Sequence, residues 1–373
     1  MIYLIDTIGK EVGMHLYNDA FVKALQKAGL NSKVVSNYSG DYIRKLFFNF
    51  YRGNLIVKAV LFGISYFRMF IFFVRRRGNV FICQTYGMRF IDICFVFLFS
   101  FSRSFFVIVH DVYPFTPNDK PNSMVKLKRF VYKKIVKNVI CHSEKTRDEL
   151  MQLGFQGRII YFPHFKYSFQ KKIESFELSN EVITSIDKNK VNFLFFGQIS
   201  ITKGVDELLL AINRIALNSR DDKINIIIAG SDKAKLVVNE KLPEFVKKIC
   251  RYINDSELNY LFSKTDFLLL PYKKIYQSGV LDTAVYFHKP VILSDVPYFC
   301  DFIYKYPSFG EIVSPCTGNN LASMMNNVVQ LKTEKVYFLD NDINQYHEDH
   351  DSKKLINKIK EQLFNKNLEE RLY

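Results

Sequence analysis

Short apolar runs alternate with amphipathic segments through the first half of the chain. Strands are predicted at 2–5, 32–36, 79–84, 105–109 and 139–141, with a helix over 14–28 closed by Gly29. The 105–109 strand runs into His110 and Asp111, and the 139–141 strand into His142 and Ser143. A polar, charge-mixed stretch interrupts the pattern, which then restarts. Strands follow at 192–196, 224–229, 266–270 and 290–293, and helices at 205–218, 255–264 and 279–287. Strands separated by helices, with polar residues gathered just after strand ends, predict doubly wound parallel sheets whose ligands sit at the carboxyl ends of the strands. The expected organisation is a first α/β domain over 1–168, a linker over 169–190, a second α/β domain over 191–348 and a helical segment over 349–373 that packs back toward the first domain.

The chain is long enough, at 373 residues, for two such cores. Its formal net charge of +15 is lopsided: residues 1–185 carry 27 Lys/Arg against 13 Asp/Glu, the rest 25 against 24. The cations of the first half interleave with apolar and aromatic residues, as in Val125-Lys126-Leu127-Lys128-Arg129-Phe130 and in Arg75-Arg76-Arg77 after an aromatic-rich segment. With no nucleic-acid-binding module, this pattern fits the surface of an anionic membrane better than DNA or RNA. Two apolar stretches, 55–74 and 91–109, suggest membrane spans, but Lys58 and Arg68 interrupt the first and Asp92 and Arg103 the second. Both are expected as buried elements of the fold.

Six isolated cysteines without a CxxC pair read as reduced thiols of a cytosolic protein, and the N-terminus reads as a first strand without the marks of a signal peptide. Asp340-Asn341-Asp342 has the DxD form of a metal site, and His347, Asp349 and His350 lie close behind it. Their spacing is not that of a ligand set, so a solvated loop and no metal are expected there.

Two stretches carry chemistry. In Phe195-Phe196-Gly197-Gln198-Ile199-Ser200-Ile201-Thr202-Lys203-Gly204 a strand turns at Gly197, and Lys203-Gly204 opens the next helix, where free N–H groups and a lysine face an anion. In Leu270-Pro271-Tyr272, continuing through Gln277-Ser278-Gly279-Val280-Leu281-Asp282-Thr283-Ala284, the Ser278 hydroxyl and the following N–H groups either cap a helix or grip a phosphate. Either stretch alone is equally an ordinary loop.

Together, and with Ile226-Ile227-Ile228-Ala229-Gly230, Val109-His110-Asp111 and Lys289-Pro290-Val291-Ile292, they resemble glycosyltransferase family 4. That resemblance implies a GT-B fold, with two facing Rossmann-like domains and chemistry in the cleft between them. It implies sugar transfer from a nucleotide-sugar donor on the second domain to a saccharide acceptor on the first, with retention and without a metal or cofactor. The acceptor is expected to be a polyprenyl-diphosphate-linked saccharide, and the enzyme to be peripheral at the cytoplasmic face of the membrane.

By match, Lys203 neutralises the leaving diphosphate and His110 contacts the donor sugar or the acceptor. Gly197, Gln198, Gly204, Gly230, Tyr272, Gln277, Ser278, Gly279 and Val280 line the donor. Gly13 and Asp111 join His110 on the acceptor side. The sequence departs from the family in lacking the glutamate pair that brackets the donor loop, so Asp282 and Thr283 stand in as donor contacts. Two alternatives remain: a nucleotide-sugar 2-epimerase on the same fold, against which the missing glutamates argue because it needs cleft carboxylates, and a non-catalytic sugar-nucleotide-binding relative, for which the departures at Gln198 and Thr283 speak.

Overall fold

A computed structural model of the chain describes residues 1–7, 9, 14–48, 54–84, 90–100, 102, 104–110, 112, 123–162, 178–217, 222–275, 277–331, 335–351, 354–357 and 361. The chain divides into two compact units: 1–167 with 350–373, and 168–349.

The first unit holds β1 (Ile2–Ile5), α1 (Met14–Lys27), β2 (Ser32–Ser36), β3 (Ile43–Lys45), α2 (Leu55–Arg75) and β4 (Val80–Gln84). It continues with α3 (Phe90–Phe99), β5 (Phe105–Ile108), α4 (Ser123–Lys134), β6 (Asn138–Cys141), α5 (Glu144–Gln152) and β7 (Arg158–Tyr161). Its seven strands form one parallel sheet in the order β3-β2-β1-β4-β5-β6-β7. The inner strands are near-continuous apolar runs because helices cover both faces of such a sheet. The order reverses between β1 and β4, where Ile5 pairs with Cys83, so that Asp6 lies level with Gln84.

The second unit holds α6 (Asn180–Thr184), β8 (Val191–Phe196), α7 (Val205–Leu217), β9 (Ile224–Ala229), β10 (Val246–Ile249), α8 (Asp255–Lys264) and β11 (Phe267–Leu270). It ends with α9 (Gly279–Tyr286), β12 (Val291–Ser294), α10 (Pro297–Lys305), β13 (Gly310–Val313), α11 (Gly318–Leu331) and α12 (Asp340–Asp349). Its six parallel strands run β10-β9-β8-β11-β12-β13, and the order reverses between β8 and β11. Both stretches singled out in the sequence follow the two strands that flank this reversal, where a doubly wound sheet opens a crevice for a ligand.

Three expectations change. The linker is shorter than 169–190, because α6 belongs to the second unit: Val182 is buried in its core with Leu258 and Leu261. Ser179 caps α6 and also donates a 2.9 Å hydrogen bond to Glu257, which Arg251 holds by two hydrogen bonds of 2.7 and 2.8 Å. Asp340-Asn341-Asp342 is not a loop but the first turn of α12, with Asp342 accepting the Ser308 N–H at 2.7 Å. Asp349 ends the same helix, held by the Tyr306 hydroxyl at 2.6 Å and Lys305 at 2.9 Å.

The 91–109 stretch holds α3 and then β5, the strand expected at 105–109. The 55–74 stretch is the helix α2, but not a buried one. Tyr66, Met69, Phe72 and Phe73 pack into the core, whereas Ile56, Val60, Ile64 and Phe67 are exposed. The six cysteines are unpaired, Cys83 and Cys141 buried and the other four half-buried.

Candidate functional site

In the second unit, Phe196 pairs with Ala229, which sets Gly197 beside Gly230 just beyond the sheet. Both backbones take left-handed φ values, +107° and +144°, and a Cβ on Gly230 would stand 1.7 Å from the Gly197 carbonyl oxygen. Only glycine permits that approach. The chain then winds through a short 3₁₀ turn, Ile201–Lys203, and reverses at Gly204 (φ +72°) to begin α7. A Cβ on Gly204 would meet the Pro271 carbonyl oxygen at 1.8 Å, and the Lys273 N–H donates to the Thr202 carbonyl at 2.9 Å. The loop after β8 is therefore packed backbone to backbone against the loop after β11.

The expected convergence of the two stretches is thus present. The Lys203 ammonium lies 5.3 Å from the centroid of the buried Tyr272 ring and over Gly197, where an added Cβ would approach it to 2.7 Å. The same Cβ would stand 3.8 Å from Val280 at the start of α9.

Two lysines flank this junction with different electrostatics. Lys273 pairs with Asp206 and with Glu207, at 3.6 Å, in the first turn of α7. Among the described residues no carboxylate pairs with Lys203, and burial pushes its ammonium down to about 8. A desolvated cation without a counter-charge is a strong site for an anion.

Ser278 caps α9: its hydroxyl accepts the Leu281 N–H at 3.2 Å, and the side chain is buried. What the start of α9 offers a ligand is the partial positive charge of its first backbone N–H groups, those of Gly279 and Val280 among them. Thr283 is buried, and its hydroxyl donates to the Gly279 carbonyl at 2.7 Å, so its hydrogen is committed within the helix. Burial pushes the Asp282 carboxyl up to about 7, which softens its repulsion of an anion at the same helix end. Gln277 is half-buried and Gln198 exposed on the two loops.

The first unit gathers a polar cluster at its own strand-order reversal. His110 Nε2 lies 2.8 Å from Gln84 Oε1, and Gln84 Nε2 donates to Asn18 Oδ1 at 2.9 Å. Asn18 Nδ2 donates to Asp6 Oδ2 at 2.7 Å, and Asp6 Oδ1 accepts the Gly9 N–H at 3.0 Å. Beside it the Tyr17 hydroxyl donates to His142 Nε2 at 2.7 Å, while His142 Nδ1–H donates to the Phe162 carbonyl at 3.0 Å. The carbonyl can only accept, so the tautomer follows. Burial pushes the His142 imidazole down to about 3, and it is neutral.

Of the acceptor residues expected from sequence, His110 stands in this cluster, whereas Gly13 and Asp111 lie outside the described residues. Sequence reasoning passed over Asp6, Asn18, Gln84 and Tyr17. The available signal was the polar residue at the ends of β1 and β4 for Asp6 and Gln84; Tyr17 and Asn18, on α1, carried none.

Residues 177–350 match the family model of glycosyl transferases group 1, a span covering almost all of the second unit. A search of curated proteins gave no match. Among solved structures, sucrose-phosphate synthase (tll1590) from Thermosynechococcus elongatus aligns with a TM-score of 0.71 at 15% identity, over 98% of this chain and 99% of that one. Anabaena Alr3699/HepE in complex with UDP and glucose aligns with a TM-score of 0.67 at 15% identity, over 97% and 98%. WaaG, a glycosyltransferase involved in lipopolysaccharide biosynthesis, aligns with a TM-score of 0.62 at 14% identity, over 98% and 100%. The fold is GT-B, two Rossmann-like parallel-sheet units, and the second unit is the part that matches the model of glycosyl transferases group 1.

Proposed function

We propose that the protein transfers a hexose-type sugar from a nucleotide-sugar donor to a saccharide acceptor, with retention and without a metal ion. The observation that carries this reading is the junction of the β8 and β11 loops, which holds Lys203, with no carboxylate partner among the described residues, beside the first amides of α9. When the bond from the sugar's anomeric carbon to the diphosphate oxygen breaks, negative charge collects on the diphosphate. A preorganised ammonium and helix N–H groups stabilise that charge electrostatically, the task a divalent cation performs in other transferases. Alr3699/HepE, seen with UDP and glucose, supports a nucleotide-sugar donor.

The acceptor is read by the first unit through His110. We take it to be a lipid-linked saccharide, as part of polysaccharide or glycoconjugate assembly. The support is the exposed apolar stripe of α2 (Ile56, Val60, Ile64, Phe67), extended by Phe97 and Leu98 of α3 and flanked by Lys58 and Arg75. α2 is long and apolar enough to cross a membrane, but its opposite face is built into the core, so it lies on an anionic bilayer surface rather than through it. In this reading the enzyme works as a peripheral protein at the cytoplasmic face of a membrane.

The test is turnover of a panel of UDP-, GDP- and CMP-sugars, with and without acceptor. Transfer or slow hydrolysis of one donor is expected, abolished by Lys203→Ala and unaffected by chelator. Epimerised donor formed in the absence of acceptor would overturn the reading.

A further inference from the structure

Among the described residues, three other than glycine take a left-handed φ: Lys235, His288 (+50°) and Phe338 (+58°). The last two line one hollow of the second unit, about 330 Å³ in volume, together with Asp266, Phe267, Pro290, Tyr337 and Ile343. Their rings meet there, with centroids 5.3 Å apart. A left-handed φ is unfavourable for a bulky side chain, and such strain gathers where a ligand is clamped. His288 follows the cap of α9, at the position where glycine ordinarily ends a helix without strain. The turn itself has no need of an imidazole.

The walls are fixed in advance. Phe338 stacks on Phe309 at 4.4 Å, and its N–H donates to the Ser308 carbonyl at 2.9 Å. Tyr337 stands edge-on to Phe267 at 5.6 Å, and its hydroxyl donates to Glu311 at 2.8 Å. Aromatic faces with Pro290 and Ile343 between them accept a flat ring. The volume is that of roughly ten waters at about 30 Å³ each, which is room for a bicyclic ring system. Among the described residues no hydrogen bond reaches the ring nitrogens of His288, and an imidazole carries at least one N–H in either protonation state. It can therefore donate to an acceptor on the ligand. Asp266, whose Oδ2 accepts the Asn192 N–H at 2.8 Å, opposes an anion in the same hollow.

This hollow lies at the end of the sheet away from Lys203. Asp266 and Pro290 precede β11 and β12, and His288 follows α9, whose first turn faces the diphosphate junction about 12 Å away along the helix.

We propose that the hollow at the amino ends of β11 and β12 is a second binding site, which takes an uncharged bicyclic heteroaromatic ligand with a ring acceptor for His288. The site is independent of the transferase reading, since none of its residues belongs to the donor loops.

The experiment is titration of the full chain with quinoline at pH 7.5, followed by saturation-transfer NMR, beside His288→Gly and in the presence and absence of saturating UDP. Saturable binding by the wild type is expected, weakened roughly ten-fold in His288→Gly by loss of one hydrogen bond and one ring face, and unaffected by UDP. His288→Gly relieves the strained φ, so its melting temperature should be equal to or above that of the wild type. No saturable binding, equal binding by His288→Gly, or displacement of quinoline by UDP overturns the proposal. A clearly lower melting temperature in His288→Gly would also overturn it, because the imidazole would then be a structural prop.

Discussion

The ammonium of Lys203 lies 5.3 Å from the ring centroid of Tyr272, although the two residues belong to different loops that follow different strands. The contact exists because β8 and β11 are neighbours at the strand-order reversal and because Gly204 lets the first loop touch the backbone of the second. It positions a cation, without a carboxylate beside it among the described residues, where backbone amides begin a helix.

Nucleotide affinity should depend on pH through Lys203. Its pKa of about 8 in the free protein rises when a diphosphate supplies the missing counter-charge, so binding takes up a proton above that pH. UDP affinity should be flat below about pH 7.5 and then fall by up to ten-fold per pH unit. Titration calorimetry across pH 7–9.5 checks this, with Lys203→Arg expected to remove the dependence over that range.

The glycine contacts under the site should tolerate no side chain. Gly230→Ala places a methyl 1.7 Å from a backbone oxygen that cannot rotate away, at φ +144°. We expect a loss of about 2–4 kcal/mol in stability and of measurable UDP binding, read by thermal melting and titration. A Gly29→Ala control meets nothing within 4 Å and costs only its backbone strain at φ +76°.

His142 should make the protein acid-sensitive. Its folded pKa of about 3 lies below the unfolded value of about 6.5, so between those values the unfolded chain binds a proton that the native state does not. Stability therefore falls as pH falls through 6.5. The contribution from this group is about 1.4 kcal/mol between pH 7.5 and 5.5. Denaturant melts at the two pH values check it, and His142→Gln should flatten the difference.

The exposed face of α2 should bind anionic vesicles. Ile56 and Phe67 are 75% and 64% exposed, so replacing both by Asp should leave the melting temperature nearly unchanged. Each loses an apolar side chain worth about 1.5–3 kcal/mol when buried, so co-sedimentation with phosphatidylglycerol vesicles should weaken by at least roughly ten-fold.

The sequence made the inner framework legible and its margins less so. The nine strands it predicts are the interior ones. The missed strands β3, β7, β10 and β13 are the four sheet edges, where Arg44-Lys45, Arg158, Lys247-Lys248 and Glu311 break the apolar run. Edge strands carry such charges because one side is unpaired, so a hydrophobic pattern underweights them.

Lys203 was legible from its place before Gly204. Its difference from Lys273 was not, because that depends on Asp206 and Glu207 folding back to one lysine and not the other. Asp6, Gln84 and His110 are single polar residues at or just after the ends of separate strands, and Asn18 reaches Asp6 and Gln84 from helix α1, so only the packing of α1 on the sheet joins them. An apolar helix like α2 reads as buried, since periodicity weakens when both faces are hydrophobic.

The proposed function stands or falls on whether the β8 and β11 loops hold one diphosphate around Lys203. The measurement closest to it is calorimetric titration of UDP into the full-length protein at pH 7.5, beside Lys203→Ala and Lys273→Ala, with chelator present throughout. The account predicts binding by the wild type and a loss of roughly 10- to 100-fold in Lys203→Ala, the worth of a charge-assisted contact of about 1.5–3 kcal/mol. Lys273→Ala should change affinity far less. Equal affinity in wild type and Lys203→Ala, or a larger loss in Lys273→Ala, would contradict it.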